Sequence, residues 1–311
     1  MSAVAATERP VAGMLAPARQ RSPKKRWTRF ILPTYTGLVM AYLILPIALM
    51  IMYSFNETPT DRVVLKWQGF TVQFYKPNEL LGIADLTAAL KLSVEVAILS
   101  TMLAVLLGTP IALALVRYKY RGRGGTDAVM FLNIAAPEIV MGAALLSFFV
   151  TANIARGFGT ILVSHVMFNI AFVVVTVRAR LAGFDRSLEE AAQDLGGGPW
   201  VTFQKITLPL IFPGILAGAL LAFALSIDDF VITNFVAGAQ PTFPLWVYGS
   251  AKVGTPPQVF VMGTLIFVSG VVLAVASYLG QGRKGRREEA DRLTTSVALI
   301  AAGDEDAAVS S

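Results

Sequence analysis

Six stretches of the chain are apolar over the length needed to cross a membrane, and this feature constrains the fold more than any other. A bilayer core about 30 Å thick needs about 20 apolar residues in a helix. The chain is 55% apolar and only 15% charged, whereas roughly a quarter of the residues are charged in soluble domains. The sequence therefore predicts an all-α membrane protein with six transmembrane helices, over approximately residues 30–53, 88–116, 128–155, 158–177, 210–236 and 258–280.

The distribution of lysine and arginine predicts the direction of these helices, because positive residues collect on the cytoplasmic side. Four connections hold 20 of the 26 Lys and Arg, namely residues 1–29, 117–123, 178–205 and 281–311. We therefore expect both termini in the cytoplasm and the connection 55–87 outside it. The predicted organisation is a basic cytoplasmic tail (1–29), a membrane domain (30–280) and a second cytoplasmic tail (281–311).

The polar connection 178–209, between the fourth and fifth stretches, lies on the side predicted to be cytoplasmic. Ser187 with Glu190 three residues later is a capping-box pattern, and good helix formers follow it. We expect a short helix that ends at the three glycines 196–198, where a left-handed cap is possible. A helix in this place is either an interfacial connection between two spans or a docking surface for a cytoplasmic partner.

Small residues favour the docking surface, since they let a partner approach closely. Ala191, Ala192 and Gly196 have this property, and Glu190 offers a carboxylate for charge-assisted hydrogen bonds. Nine residues separate this glycine from a group of two apolar residues and a proline, at Ile206, Leu208 and Pro209.

This spacing resembles the coupling signature of ABC-importer permeases, the membrane subunits that receive the force of ATP hydrolysis. The resemblance implies a type I importer permease fold with a cytoplasmic coupling helix. It also implies that the residues in contact with the ATPase are Glu190, Ala191, Ala192, Gly196, Ile206, Leu208 and Pro209.

Other segments are similar to the permeases of spermidine/putrescine importers, and they extend over most of the membrane part. These segments are Pro137–Gly142, His165, Phe172–Leu181, Leu225–Val231, Phe243–Tyr248 and Lys252–Gly254. The resemblance implies a bacterial inner-membrane protein that pairs with a sibling permease, two cytoplasmic ATPase subunits and an extracytoplasmic binding protein that delivers polyamine. ATP and Mg would then be bound by the ATPase, and this chain would hold no cofactor.

Three acidic residues lie inside the predicted spans, where ionisable groups usually face a water-filled path or a partner. Asp228 and Asp229 diverge by about 100° on a helix, so we expect one of them to face a path for a cationic amine. Each could instead cap a broken helix end or pair with a basic residue of the sibling permease. Glu138 follows Pro137 and is a candidate for the path or a gate, with interhelical hydrogen bonding as the alternative.

The motifs of several other function classes are missing from the chain. It has no cysteine and a single histidine, His165, which favours interhelical hydrogen bonding over a metal site. It lacks a phosphate-binding loop and the usual hydrolase motifs, so we expect no enzyme activity. Its basic residues lie at segment ends and not in one stripe, which argues against nucleic acid as a partner.

Two alternatives to polyamine import remain at this point. The coupling signature describes the ATPase and not the cargo, so the same architecture could import thiamine, ferric iron, a sugar or another amine. A secondary transporter or a non-transporting membrane scaffold is the more distant alternative.

Overall fold

The computed structural model describes residues 28–58 and 66–276, and these residues are almost entirely helical. The one pairing of extended segments among them joins Asn56 and Phe70. The helices are α1 Thr28–Ser54, α2 Pro77–Leu80, α3 Ala84–Arg117, α4 Arg123–Ala135, α5 Glu138–Thr151, α6 Phe158–Ala182, α7 Ser187–Asp194, α8 Pro199–Thr202, α9 Leu208–Ile227, α10 Val231–Val236, α11 Phe243–Ala251 and α12 Gln258–Ala276. A π-helical turn, Phe203–Thr207, joins α8 to α9.

Five continuous helical segments are long and apolar enough to cross a membrane. They are Phe30–Ser54, Ala84–Arg117, Phe158–Ala182, Pro199–Ile227 and Gln258–Ala276. The pair α4 and α5 makes a sixth candidate if both helices count as one span. The predicted all-α class with six candidate spans is therefore confirmed. The tails 1–27 and 277–311, where the last predicted span ends, lie outside the described residues.

The chain divides into two compact units, Met1–Met50 and Ile51–Ser311. In the described part of the first unit, α1 is one helix that continues through Pro33 and Pro46. Neither proline interrupts the helix.

The core of the second unit is built around α3, α6 and α9. Small residues on α9 let it approach α6: a Cβ atom added to Gly214 would lie 2.6 Å from the Cβ of Arg180, and one on Gly218 would lie 3.4 Å from the Cα of Val173. With Ala222 one turn further on, these buried residues form a small-residue face on α9. A second buried cluster joins α3 and α6 to α5 and α10, at Val96, Phe149, Ile161, Phe168, Ile232 and Val236.

Two predicted spans are interrupted, and both interruptions correct the sequence prediction. The span 128–155 is bent by 109° between α4 and α5. Pro137 explains the bend, because a residue before proline avoids the helical conformation and Ala136 is extended, with φ −70° and ψ 134°. The span 210–236 is helical only to Ile227, and the chain resumes its helix at Val231 after Asp228 and Asp229.

Candidate functional site

The short helix α7 forms where the sequence predicts it, but its first turn is capped differently. Arg186 is the N-cap residue and makes no side-chain capping bond. The carboxylate of Asp185 accepts a hydrogen bond of 3.0 Å from the backbone N–H of Ser187, and this bond lowers the pKa of the Asp185 carboxyl group. The predicted capping box of Ser187 and Glu190 is therefore wrong, because Ser187 is already the first helical residue.

The end of α7 is a glycine-capped turn, as the sequence predicts. The backbone N–H of Gly197 donates to the carbonyl of Ala192 at 2.9 Å, and the N–H of Gly196 donates to that of Gln193 at 2.9 Å. This pair of bonds defines a Schellman motif, which places its C′ residue in the left-handed region. Gly196 has φ +85° and open space around its Cα. Glycine is needed here for backbone conformation rather than for a close contact within the chain.

The two faces of α7 have different environments. Glu190 and Ala191 are exposed, whereas Ala192 is half-buried. The apolar residues around the helix end are also uncovered, with Leu195 90% exposed and Trp200 66% exposed. Of the remaining predicted contact residues, Ile206 and Leu208 are half-buried and Pro209 is exposed. These exposed residues are small or apolar, apart from the carboxylate of Glu190.

The inner face of α7 is held by Glu189, a residue that the sequence analysis does not single out. Its Oε1 atom accepts hydrogen bonds from the Nη2 group of Arg117, at the end of α3, and from the hydroxyl of Thr207, at the end of the π-helical turn. Arg117 Nη2 also lies 3.4 Å from the Thr207 hydroxyl oxygen. Thr207 occupies the position left open in the motif Ile-x-Leu-Pro, and no local pattern marks it.

Two further contacts tie the segment before α7 to the end of α3. The Arg117 guanidinium lies 5.9 Å from the ring centre of Phe184, in the range of a cation–π contact. Arg186 donates a hydrogen bond of 3.3 Å to the carbonyl of Val116. A cavity of about 550 Å³ lies beside these contacts, lined among others by Pro110, Tyr118, Gln193, Trp200 and Phe203.

The interruption between α9 and α10 is stabilised by Asp229. Its carboxylate accepts hydrogen bonds from the backbone N–H of Thr233 at 2.8 Å, from the Thr233 hydroxyl at 2.6 Å and from the N–H of Ile232 at 3.4 Å. Asp229 therefore caps the first turn of α10, which is one of the three roles that the sequence left open for it.

A buried polar network extends from Asp229 to α3. His165 on α6 contacts Thr233 through Nε2 at 2.9 Å and Ser226 through Nδ1 at 2.7 Å. Ser226 on α9 in turn lies 3.0 Å from the hydroxyl of Ser100 on α3. The predicted role of His165 in interhelical hydrogen bonding is confirmed.

The other two acidic candidates are exposed. Asp228 directly precedes Asp229 in the interruption. Glu138 lies in the first turn of α5, directly after the bend. Its helix contacts α10 one turn later, where a Cβ on Gly142 would lie 2.5 Å from the ring of Phe235. The structure thus brings the helices of Glu138 and of the aspartates together, and their path roles stay predictions.

The described residues contain no group of three or more His, Cys, Asp and Glu side chains that could hold a metal ion.

Comparisons with known proteins give the context for this arrangement. Residues 11–284 match the family model of the binding-protein-dependent transport system inner membrane component. The chain is 40% identical over 242 residues to the spermidine/putrescine transport system permease protein PotC of Escherichia coli (strain K12), covering 78% of this chain and 90% of the relative. It is 38% identical over 247 residues to the putrescine transport system permease protein PotI of that strain, covering 76% and 86% of the two chains.

Among solved structures, the chain resembles a bacterial ABC transporter involved in the import of the acidic polysaccharide alginate. The TM-score is 0.61 at 17% identity, and the match covers 83% of this chain and 98% of the other. At this identity the likeness concerns the fold alone.

Proposed function

The chain belongs to the family of binding-protein-dependent transport system inner membrane components, and from this membership we propose that it forms half of the translocation path of an ABC importer for polyamines. The observation that supports polyamines as the cargo is the sequence identity to spermidine/putrescine permeases along most of the chain. The exposed carboxylate of Asp228, at an interruption of a membrane helix, is the chemistry that a polyamine cation would meet.

The partners in this proposal are separate polypeptides. A cytoplasmic ATPase dimer binds ATP and Mg and contacts the surface around Glu190, Ala191 and Gly196. A sibling permease supplies the other half of the path, and an extracytoplasmic binding protein delivers the cargo. This chain itself hydrolyses nothing. The exposed apolar side chains around the end of α7 support the position of the ATPase contact.

The protein is a multi-pass protein of the inner membrane, and we place both of its termini in the cytoplasm. The charge distribution supports this direction, since the connection that contains α7 is among the four rich in lysine and arginine. The same direction puts the interruption at Asp228 towards the outer half of the membrane, because α9 runs about 30 Å from Leu208 to Ile227.

Uptake by the assembled complex tests this proposal. The four-subunit complex with its binding protein is reconstituted in vesicles that contain ATP, and labelled spermidine and putrescine are offered beside thiamine, ferric iron and a sugar. We expect uptake of a polyamine together with polyamine-stimulated ATP hydrolysis. Uptake of one of the other solutes instead would show that the cargo assignment is wrong, and the proposed importer architecture would still stand. Uptake driven by an ion gradient without the ATPase would contradict the proposal as a whole.

A further inference from the structure

Glu189 joins three elements that are far apart in the chain. It lies on α7, and its carboxylate is bonded to Arg117, which is 72 residues earlier, and to Thr207, which is 18 residues later. Arg117 is the last residue of α3, and Thr207 directly precedes α9. One carboxylate oxygen therefore connects the short cytoplasmic helix to two membrane-crossing helices.

Glu189 makes this connection from the inner face of α7, and the outer face of the helix takes no part in it. Successive residues of a helix diverge by about 100°, so Glu189 and Gln193 lie on the inner face beside the cavity. Glu190 and Ala191 lie on the outer face and are exposed. The helix is held from its inner side while its outer side remains accessible to a partner.

The environment makes these bonds stronger than those of an exposed ion pair. The side chains of Arg117 and Glu189 are 23% and 15% exposed, and Thr207 is completely buried. Charge-assisted hydrogen bonds are roughly twice as strong as neutral ones, and partial burial reduces their screening by salt. Loss of the Glu189 carboxylate would also leave a buried hydroxyl and a guanidinium without their acceptor.

We propose that Arg117, Glu189 and Thr207 form a coupling clamp, which makes α7, the end of α3 and the start of α9 move as one body when the ATPase displaces α7. This inference rests on the proposed function and adds positioning residues to it. From Thr207, α9 continues as one helix to Ser226 and the interruption at Asp228. A displacement at α7 is therefore delivered along this continuous helix to the candidate path.

The test uses pairs of variants at the clamp in the complete complex. Thr207→Val keeps the shape of threonine and removes its hydroxyl, whereas Thr207→Ser keeps the hydroxyl. Glu189→Ala removes the acceptor. The readout is the number of cargo molecules taken up per ATP hydrolysed. We expect this ratio to fall roughly 5-fold or more in Glu189→Ala and Thr207→Val, the lower end of typical coupling between two sites, and to stay near the parent value in Thr207→Ser.

A second ion pair of the described part provides the matched control. Arg178 and Asp127 connect α6 to α4 and do not touch α7. We therefore expect Asp127→Asn to leave the ratio of cargo taken up to ATP hydrolysed unchanged, even if less complex is obtained. Hydrogen exchange of the α7 amides should be faster than in the parent in Glu189→Ala and Thr207→Val, and should be unchanged in Asp127→Asn.

Each outcome decides the inference. The clamp is overturned if the ratio of cargo to ATP is unchanged in Glu189→Ala. It is also overturned if this ratio falls as far in Asp127→Asn or in Thr207→Ser as it does in Glu189→Ala. If the parent complex moves a solute other than polyamine, the proposed cargo is wrong, and the ratio for that solute still tests the clamp. If the parent moves no solute, the proposed function fails, and unchanged exchange of α7 in Glu189→Ala would then overturn the clamp by itself.

Discussion

At the scale of single residues, Asp228 and Asp229 differ in what surrounds their carboxylates. Asp229 caps α10 and lies beside His165, and its side chain is 6% exposed. Asp228 is exposed at the same interruption. Within the interruption, burial and hydrogen bonding thus separate a structural carboxylate from one that is accessible to a cation.

We expect Asp228→Asn to lower polyamine uptake while the complex assembles normally. Asparagine keeps the size but removes a charge whose attraction for the cargo is about 1 to 2 kcal/mol at an effective dielectric constant of about 20, or roughly 5- to 30-fold in occupancy. Asp228→Lys should lower uptake further, because it repels the cation. The measurement is initial uptake per complex in vesicles. Asp229→Asn is the comparison and should reduce the yield of folded complex. Uptake by Asp228→Asn within twofold of the parent would remove Asp228 from the path.

His165 offers a test of the buried network. His165→Phe removes one of the two hydrogen-bond partners of each of the Ser226 and Thr233 hydroxyl groups, which should destabilise the complex by about 1 to 2 kcal/mol. Because Ser226 shares the network, Ser226→Ala should cost less in the His165→Phe background than alone. Thermal unfolding of the four proteins in detergent measures both effects. Additive losses would show that the two residues act independently.

At the scale of elements, α7 depends on backbone conformation at one end and on surface chemistry along its outer face. The left-handed conformation of Gly196 disfavours every side chain with a Cβ except that of asparagine or aspartate. Glu190, by contrast, has no conformational role, since its side chain does not cap the helix.

Three replacements of Gly196 separate conformation from size. Alanine adds strain of about 1 kcal/mol, leucine adds strain and bulk, and asparagine tolerates the left-handed region. We expect Gly196→Asn to keep substrate-stimulated ATP hydrolysis, Gly196→Ala to reduce it, and Gly196→Leu to abolish it while the protein stays in the membrane. Equal stimulation in all three variants would show that this turn does not contact the ATPase.

Glu190→Lys reverses the charge at the centre of the exposed surface. Since the side chain makes no bond that α7 requires, the variant should fold and reach the membrane. Its ATP hydrolysis should no longer respond to substrate, because charge-assisted bonds to the ATPase are lost. Glu190→Gln is the milder control and should be affected less. Normal stimulation in Glu190→Lys would place the contact elsewhere.

At the scale of the whole molecule, the direction of the helices is the prediction on which the site assignments depend. Reporter fusions after Lys66 and Lys252 should report the extracytoplasmic side, and fusions after Arg123 and Arg286 the cytoplasm, because lysine and arginine concentrate in the latter connections. A cytoplasmic signal after Lys66 would reverse the orientation and move α7 away from any cytoplasmic ATPase.

Most of the architecture can be predicted from the sequence, since it depends on local properties. Apolar length predicts the spans, and three consecutive glycines predict the end of α7. The bend at Pro137 is partly foreseeable from the residue before proline, but its angle of 109° is not. The angle depends on how α5 packs against α10, where Gly142 meets Phe235.

The sequence by itself determined the membrane class, the place of the short helix α7 and the acidic candidates, because hydrophobic length, helix-ending glycines and residue spacing are encoded in neighbouring positions. Only the tertiary structure decided that Glu189 rather than Glu190 holds α7, and that Asp229 rather than Asp228 caps α10. In each pair two adjacent carboxylates have the same chemistry. Their different roles arise from partners such as Arg117 and His165, which are more than 60 residues away in the chain and meet them only after the helices have packed.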